Sequence, residues 1–141
     1  MSRAQADLAQ LTRLLQDRAF EQHRRDRDEE RRLLDEVARI DALRQAAFAE
    51  TESLADRRLL GADTLWQGWL SRRRGELNQD LARCRVRQEH SLARARLALA
   101  RTEATRRLQQ QEAAVLRDKR LHHEEIRLDA LWRLAFKEPE I

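Results

Sequence analysis

"LLGADTLWQGWLSRRRG", residues 59–75, holds all three glycines of the chain and two of its three tryptophans. Almost everything on either side is Leu, Ala, Arg, Glu and Gln. Such composition favours helix, so the stretch reads as the one interruption between two helices. Gly61 suits the left-handed position just past a helix C-terminus, where a side chain would be strained. Thr64 followed by Gln67 has the spacing of a capping box, and Asp63 adds negative charge at the N-terminal end of the helix that follows. The spacing predicts helix one over about 3–60, a turn at about 61–63, and helix two over about 64–136 with a short C-terminal tail.

The flanking sequence agrees. Ser2 and Gln5 form a second capping box at the start of helix one. Leu8, Leu11 and Leu15 mark one apolar stripe, and Leu33, Val37 and Ile40 mark another about one position out of phase. Between them "EQHRRDRDEERR" (21–32) buries little. In helix two, Leu77, Leu81, Cys84, Leu92, Ala95, Leu99, Leu108, Val115, Ile126, Leu128 and Leu131 suggest a stripe with polar positions near Gln88, Thr102 and Lys119. A chain this highly charged could be disordered. Its 41% apolar residues instead recur at helical spacing, which argues for an all-α fold.

Helices of roughly 85 and 110 Å joined by so short a turn must be antiparallel neighbours. The expectation is one coiled-coil hairpin over 1–141, with the second helix the longer. With the turn centred near residue 62, facing residue numbers sum to about 124, pairing Glu30 with Arg94, Asp28 with Arg96 and Asp41 with Arg83. That register leaves roughly the last 15 residues of helix two, Leu121 to Phe136, without an opposite helix. Two readings stand for this overhang: a surface that a partner covers, or an end that caps itself.

At the hairpin tip, Trp66, Trp69 and Leu70 sit at i, i+3 and i+4 and form one apolar patch. Gly68 and Gly75, inside helix two, suggest close approach of a ring or another backbone. The patch is either a plug closing the coiled coil, covered by Phe48 and Leu54, or a docking surface for a partner.

Little here supports catalysis. No phosphate-binding loop, nucleophile elbow, H-E-x-x-H pair or paired-cysteine spacing occurs. His122 and His123 point about 100° apart on a helix and do not share a metal without a second element. Cys84 falls on the stripe, as a small core residue does. No enzyme activity, cofactor, metal or small-molecule substrate is expected. A lone cysteine fits a reducing compartment, "MSRAQADLAQL" lacks the apolar segment of a secretory signal, and no run is long enough to span a membrane. From Leu70 to Arg107, 11 arginines stand against four acids. No aromatic residue interleaves with them after Trp69, so nucleic acid ranks low among expected partners.

In architecture and in these segments, namely "SRAQADLAQLTRLLQDRAF", the "LLGADT" turn, the aromatic opening "LWQGWL" and the long Arg/Gln-rich return, the chain resembles the FliJ-type proteins (YscO-type in injectisomes) of bacterial type III secretion. The resemblance implies a cytoplasmic antiparallel coiled coil at the inner-membrane export apparatus. It would act as a non-catalytic central stalk. The end bearing both termini would enter a hexameric export ATPase, with Leu11, Leu15, Leu128 and Trp132 as candidate contacts. The tip, with Trp66, Trp69, Leu70 and, on helix one, Phe48, would meet the export-gate membrane protein. Arg73 stands where the family tends to be apolar or small. Secretion chaperones are further implied partners. An asymmetric stalk contacts six identical subunits unequally, which would couple nucleotide state to the gate. Two other functions remain open: a scaffold or self-associating coiled coil, and an Arg-rich nucleic-acid binder.

Overall fold

The computed structural model describes residues 3–49 and 61–137, with the side chains of Phe48 and Ala62 outside that description. The fold is all-α. Two long helices, α1 (Arg3–Ala49) and α2 (Ala62–Ala135), pack against each other, with no strand among the described residues. The expected end of helix one near residue 60, the Ser2 cap and the Leu54 cover lie outside the described residues.

Gly61 takes the left-handed conformation, with φ of 66°, and the Leu65 amide donates to its carbonyl at 3.2 Å. A residue whose carbonyl accepts from four residues on is the first of a helix. Gly61 therefore opens α2, and Thr64 lies inside the helix rather than at the capping-box position expected for it. Asp63 in the first turn and Arg133 in the last complement the helix dipole.

The contacts fall into two packing units, one spanning Asp17–Leu97 and the other joining the chain up to Gln16 with the segment from Ala98 onward. In the first unit, His23 meets Ser91, Asp26 and Glu30 meet Gln88, and Asp41 meets Arg74. These paired numbers sum to about 114 and run in opposite directions, so the helices are antiparallel. In the second unit, Thr12 meets Thr102 and Gln5 meets Gln109, with the same sum. The register therefore differs by about ten residues from the one expected, with α2 already helical at Ala62 where the expectation centred the turn. Glu30 pairs with Arg85 at 3.1 Å rather than with Arg94, and Asp41 pairs with Arg74 at 2.8 Å rather than with Arg83. Asp28 meets only Arg31 of its own helix, at 3.9 Å, and not Arg96.

Residues facing the partner helix recur every seven positions, the coiled-coil period. In the first unit α1 contributes Asp26, Leu33, Ile40 and Ala47, and α2 contributes Leu70, Leu77, Cys84 and Ser91. Leu33, Ile40, Leu70, Leu77, Leu81 and Cys84 form the apolar core, with Val37 against it. Further along, the seam turns polar. Cys84 Sγ and Gln88 Nε2 donate to the Asp26 carbonyl at 3.3 Å each, and Gln88 reaches Glu30 at 2.7 Å. In the second unit the seam is small and polar: Thr12, Ala98 and Thr105 are buried. The Thr12 hydroxyl donates to the Ala9 carbonyl at 3.0 Å and that of Thr105 to the Arg101 carbonyl at 2.9 Å, so these buried hydroxyls keep partners, and the half-buried Thr102 hydroxyl donates to the Thr12 carbonyl at 3.2 Å.

The large leucines of this second unit point elsewhere. Leu8, Leu11, Leu15, Leu99 and Leu108 are about half exposed, although the sequence pattern assigned all five to stripes. Leucine spacing there does not coincide with the seven-residue seam that Thr12, Ala98 and Thr105 define. Gly68 and Gly75 likewise face open space: a Cβ added at either meets nothing within 4 Å, so the close approach expected for them is not made within the chain.

Candidate partner-binding surfaces

Gln5 of α1 reaches Glu112, the furthest point along α2 of the hydrogen bonds between the helices among the described residues. From there to residue 137, α2 has no described segment opposite it, and its side chains are exposed apart from a half-buried Ala114. These 25 or so residues extend about 37 Å. The single-helix end is thus longer than the 15 residues expected, in step with the shifted register. It carries Leu121, Leu128, Leu131, Trp132 and Phe136, each more than half exposed. Trp132 and Phe136 rings lie 4.8 Å apart, tilted by 38°. With Leu128, Asp129, Leu131 and Ala135 they line a shallow depression of about 520 Å³.

The expected terminal group does not come together as one patch. Leu11 and Leu15 lie beside the stretch of α2 near residues 99–103. Leu128 and Trp132 lie roughly 40 Å further along the helix. Both pairs are exposed, as separate surfaces.

At the start of α2, Trp66 and Trp69 stack with centroids 5.3 Å apart and planes within 7° of parallel. They are 43% and 47% exposed, while Leu70 is wholly buried in the core. Leu70 is therefore a packing residue, and the surface here consists of the two indoles with Leu65. The Phe48 side chain lies outside the described residues.

Many of the arginines of α2 already have carboxylate partners. Arg73 meets Glu36 at 3.0 Å, Arg74 meets Asp41 and Arg85 meets Glu30; Arg106 and Arg107 share Glu103 at 2.7 and 3.2 Å. The Arg106 hydrogen bond, with Arg107 beside it, pushes the Glu103 carboxyl down to about 2. Hydrogen bonds from Gln88 and Arg85 hold Glu30 below its ordinary range, and Arg32 does the same for Glu29. The charge of these five arginines is thus part of the helix surface and of the register between the helices.

Sequence reasoning missed the polar contact of His23 with Ser91 across the seam. His23 Nδ1 lies 2.9 Å from Ser91 Oγ, and the Ser91 hydroxyl donates to the Gln88 carbonyl at 3.1 Å, which leaves the ring nitrogen as donor. Only the seven-residue spacing of Ser91 from Cys84 could have signalled it. His122 and His123 are exposed, with Glu125 3.9 Å from His122. Among the described residues no three His, Cys, Asp or Glu side chains converge as metal ligands, and no helix is long and apolar enough to cross a membrane. No protein-family model, curated protein or solved structure matches the chain.

Proposed function

We propose that the chain is a non-catalytic stalk of a bacterial type III export apparatus, flagellar or injectisome. Its terminal end, chiefly residues 113–137 of α2, inserts into a hexameric export ATPase. The end bearing Trp66 and Trp69 contacts the export-gate membrane protein or secretion chaperones, which makes the chain cytoplasmic and peripheral to the inner membrane. The observation that carries this reading is the single-helix segment with Trp132 and Leu128 about two-thirds exposed, beyond the hydrogen bond of Gln5 to Glu112. Unequal contact of one helix with six subunits would favour one interface over the others and so link nucleotide state to the gate.

The direct test is co-purification with the candidate export ATPase and measurement of its turnover. Trp132→Ala should abolish capture and stimulation, whereas Trp66→Ala should leave both intact and impair gate or chaperone binding. Capture that ignores Trp132, or no capture by the wild type, contradicts the assignment. A second reading, a self-associating scaffold, is favoured by the half-exposed Leu8, Leu11, Leu15, Leu99 and Leu108. Sedimentation at two concentrations separates them: a concentration-dependent dimer abolished by Leu11→Glu supports the scaffold. Nucleic acid binding would show as a steep loss of affinity with salt.

A further inference from the structure

We infer that the partner of the single-helix end docks on the side of α2 opposite α1, and that it is an amphipathic helix of a different polypeptide with complementary charges. This rests on the proposal that residues 113–137 are the partner-binding end.

The side follows from phase. In the packed part of this unit, the α2 positions facing α1 are Ala98, Thr102, Thr105 and Gln109. Continued at seven-residue spacing, the Thr105 position becomes Glu112, Lys119 and Ile126, a mostly charged line, and the Gln109 position becomes Leu116, His123 and Ala130, so no unbroken apolar seam results. Leu121, Leu128 and Ala135 fall two positions later, about 200° round the helix at 100° per residue. Leu131 adjoins them, and Leu121, Leu128 and Leu131 are 57%, 65% and 60% exposed. The ridge is therefore not a continuation of the α1 seam. A longer α1, or any helix stacked on its end, would meet the charged line instead.

The partner's chemistry follows from the flanks. With Leu121 and Leu128 as the first core position of the heptad, Arg117, Glu124 and Leu131 take the second. Arg120 and Arg127 line one flank, and Asp118 and Glu125 line the other. A second copy fits neither way round. Antiparallel, equivalent flanks meet, arginine against arginine and acid against acid. Parallel, the flanks would pair Arg120 with Glu125, but Arg117 stacks on Arg117 and Glu124 on Glu124 within the core. Like charges so placed suppress self-pairing and select another chain. That chain needs a leucine-type stripe, acids where it meets Arg117, Arg120 and Arg127, and bases where it meets Asp118, Glu124 and Glu125.

The test uses the full chain and two synthetic peptides spanning residues 113–137. One has the native sequence; the other has the charges reversed at 117, 118, 120, 124, 125 and 127. Binding is read by fluorescence anisotropy of the labelled peptide. The reversed peptide should bind at least about tenfold more tightly than the native one. Leu121→Ala with Leu128→Ala in the full chain should remove that binding, while Leu116→Ala with Ile126→Ala should keep it within about threefold. Equal or tighter binding of the native peptide identifies a second copy as occupant and overturns the inference. So does loss of binding in the Leu116/Ile126 variant with retention in the Leu121/Leu128 variant, or no binding by either peptide. Each of these leaves capture of the ATPase intact as a separate outcome, so failure here is distinguishable from failure of the proposed function.

Discussion

Leu77 and Leu99 look alike in the sequence, yet the structure gives them opposite energetic roles. Leu77 is 1% exposed in the apolar core, and Leu99 is 50% exposed. Leu77→Ala removes three carbons, worth about 0.8 kcal/mol each for full burial, or roughly 2.4 kcal/mol. A cavity term adds to this in globular cores, but a seam between two helices is open on both flanks and closes in part. The expected cost is about 2.5–3 kcal/mol. Leu99→Ala forfeits at most half of the transfer term, leaves no cavity and gains slightly in helix propensity, so its cost is about 1 kcal/mol or less. Urea melts followed by helical circular dichroism at 222 nm should place the two variants about 1.5–2 kcal/mol apart, a difference of more than tenfold in the folding equilibrium. Equal losses would refute the seven-residue seam and restore the stripe inferred from leucine spacing. A small loss at Leu77 would refute the core itself.

Three more consequences are open to measurement. Gly68→Ala and Gly75→Ala should each stabilise the chain by about 1 kcal/mol, because both glycines are helical and face open space; a loss in the melts would show that something approaches them. Asp26→Leu should stabilise by about 1–2 kcal/mol, since it removes a carboxylate buried to 8% exposure on the seam, held by Gln22 at 3.1 Å, while the Asp26 carbonyl keeps its bonds to Cys84 and Gln88. Destabilisation would mean the carboxylate has a structural role that these contacts do not reveal. Acid should weaken the fold. Glu103 is depressed to about 2 and Glu30 is also lowered, so their stabilisation is full above the ordinary carboxylate range and is lost as pH falls from about 4.5 towards 2. Glu103→Gln should flatten that part of the pH–stability curve, and an unchanged curve would discount the Arg106 pair.

The fold was legible because few breakers interrupt the chain and because Leu70, Leu77 and Cys84 repeat at seven. The register was not. A left-handed glycine suits the position after a helix, and the Leu65-to-Gly61 hydrogen bond, which starts α2 directly after it, carries no signal in the sequence. The polar half of the seam carried no hydrophobic signal: Asp26 and His23, inside the 21–32 stretch, read as surface that buries little until their partners across the seam are seen. Exposed leucines drew the stripe away from it. The exposure of Trp132 and Leu128 at the unpaired end was readable from their place near the end of the longer helix. The fate of Leu70 beside Trp69 was not, because adjacent residues on a helix diverge by about 100° and only the phase of the seam tells which is buried.

The antiparallel register near a sum of 114 is tested most directly by disulfide trapping in a Cys84→Ser background. His23→Cys with Ser91→Cys replaces two side chains 2.9 Å apart on opposite helices. Mild oxidation at low concentration should convert this variant to a cross-linked monomer, while Glu30→Cys with Arg94→Cys should remain unlinked. Cross-linking of the 30/94 pair in place of 23/91, or links only between molecules, would contradict the account.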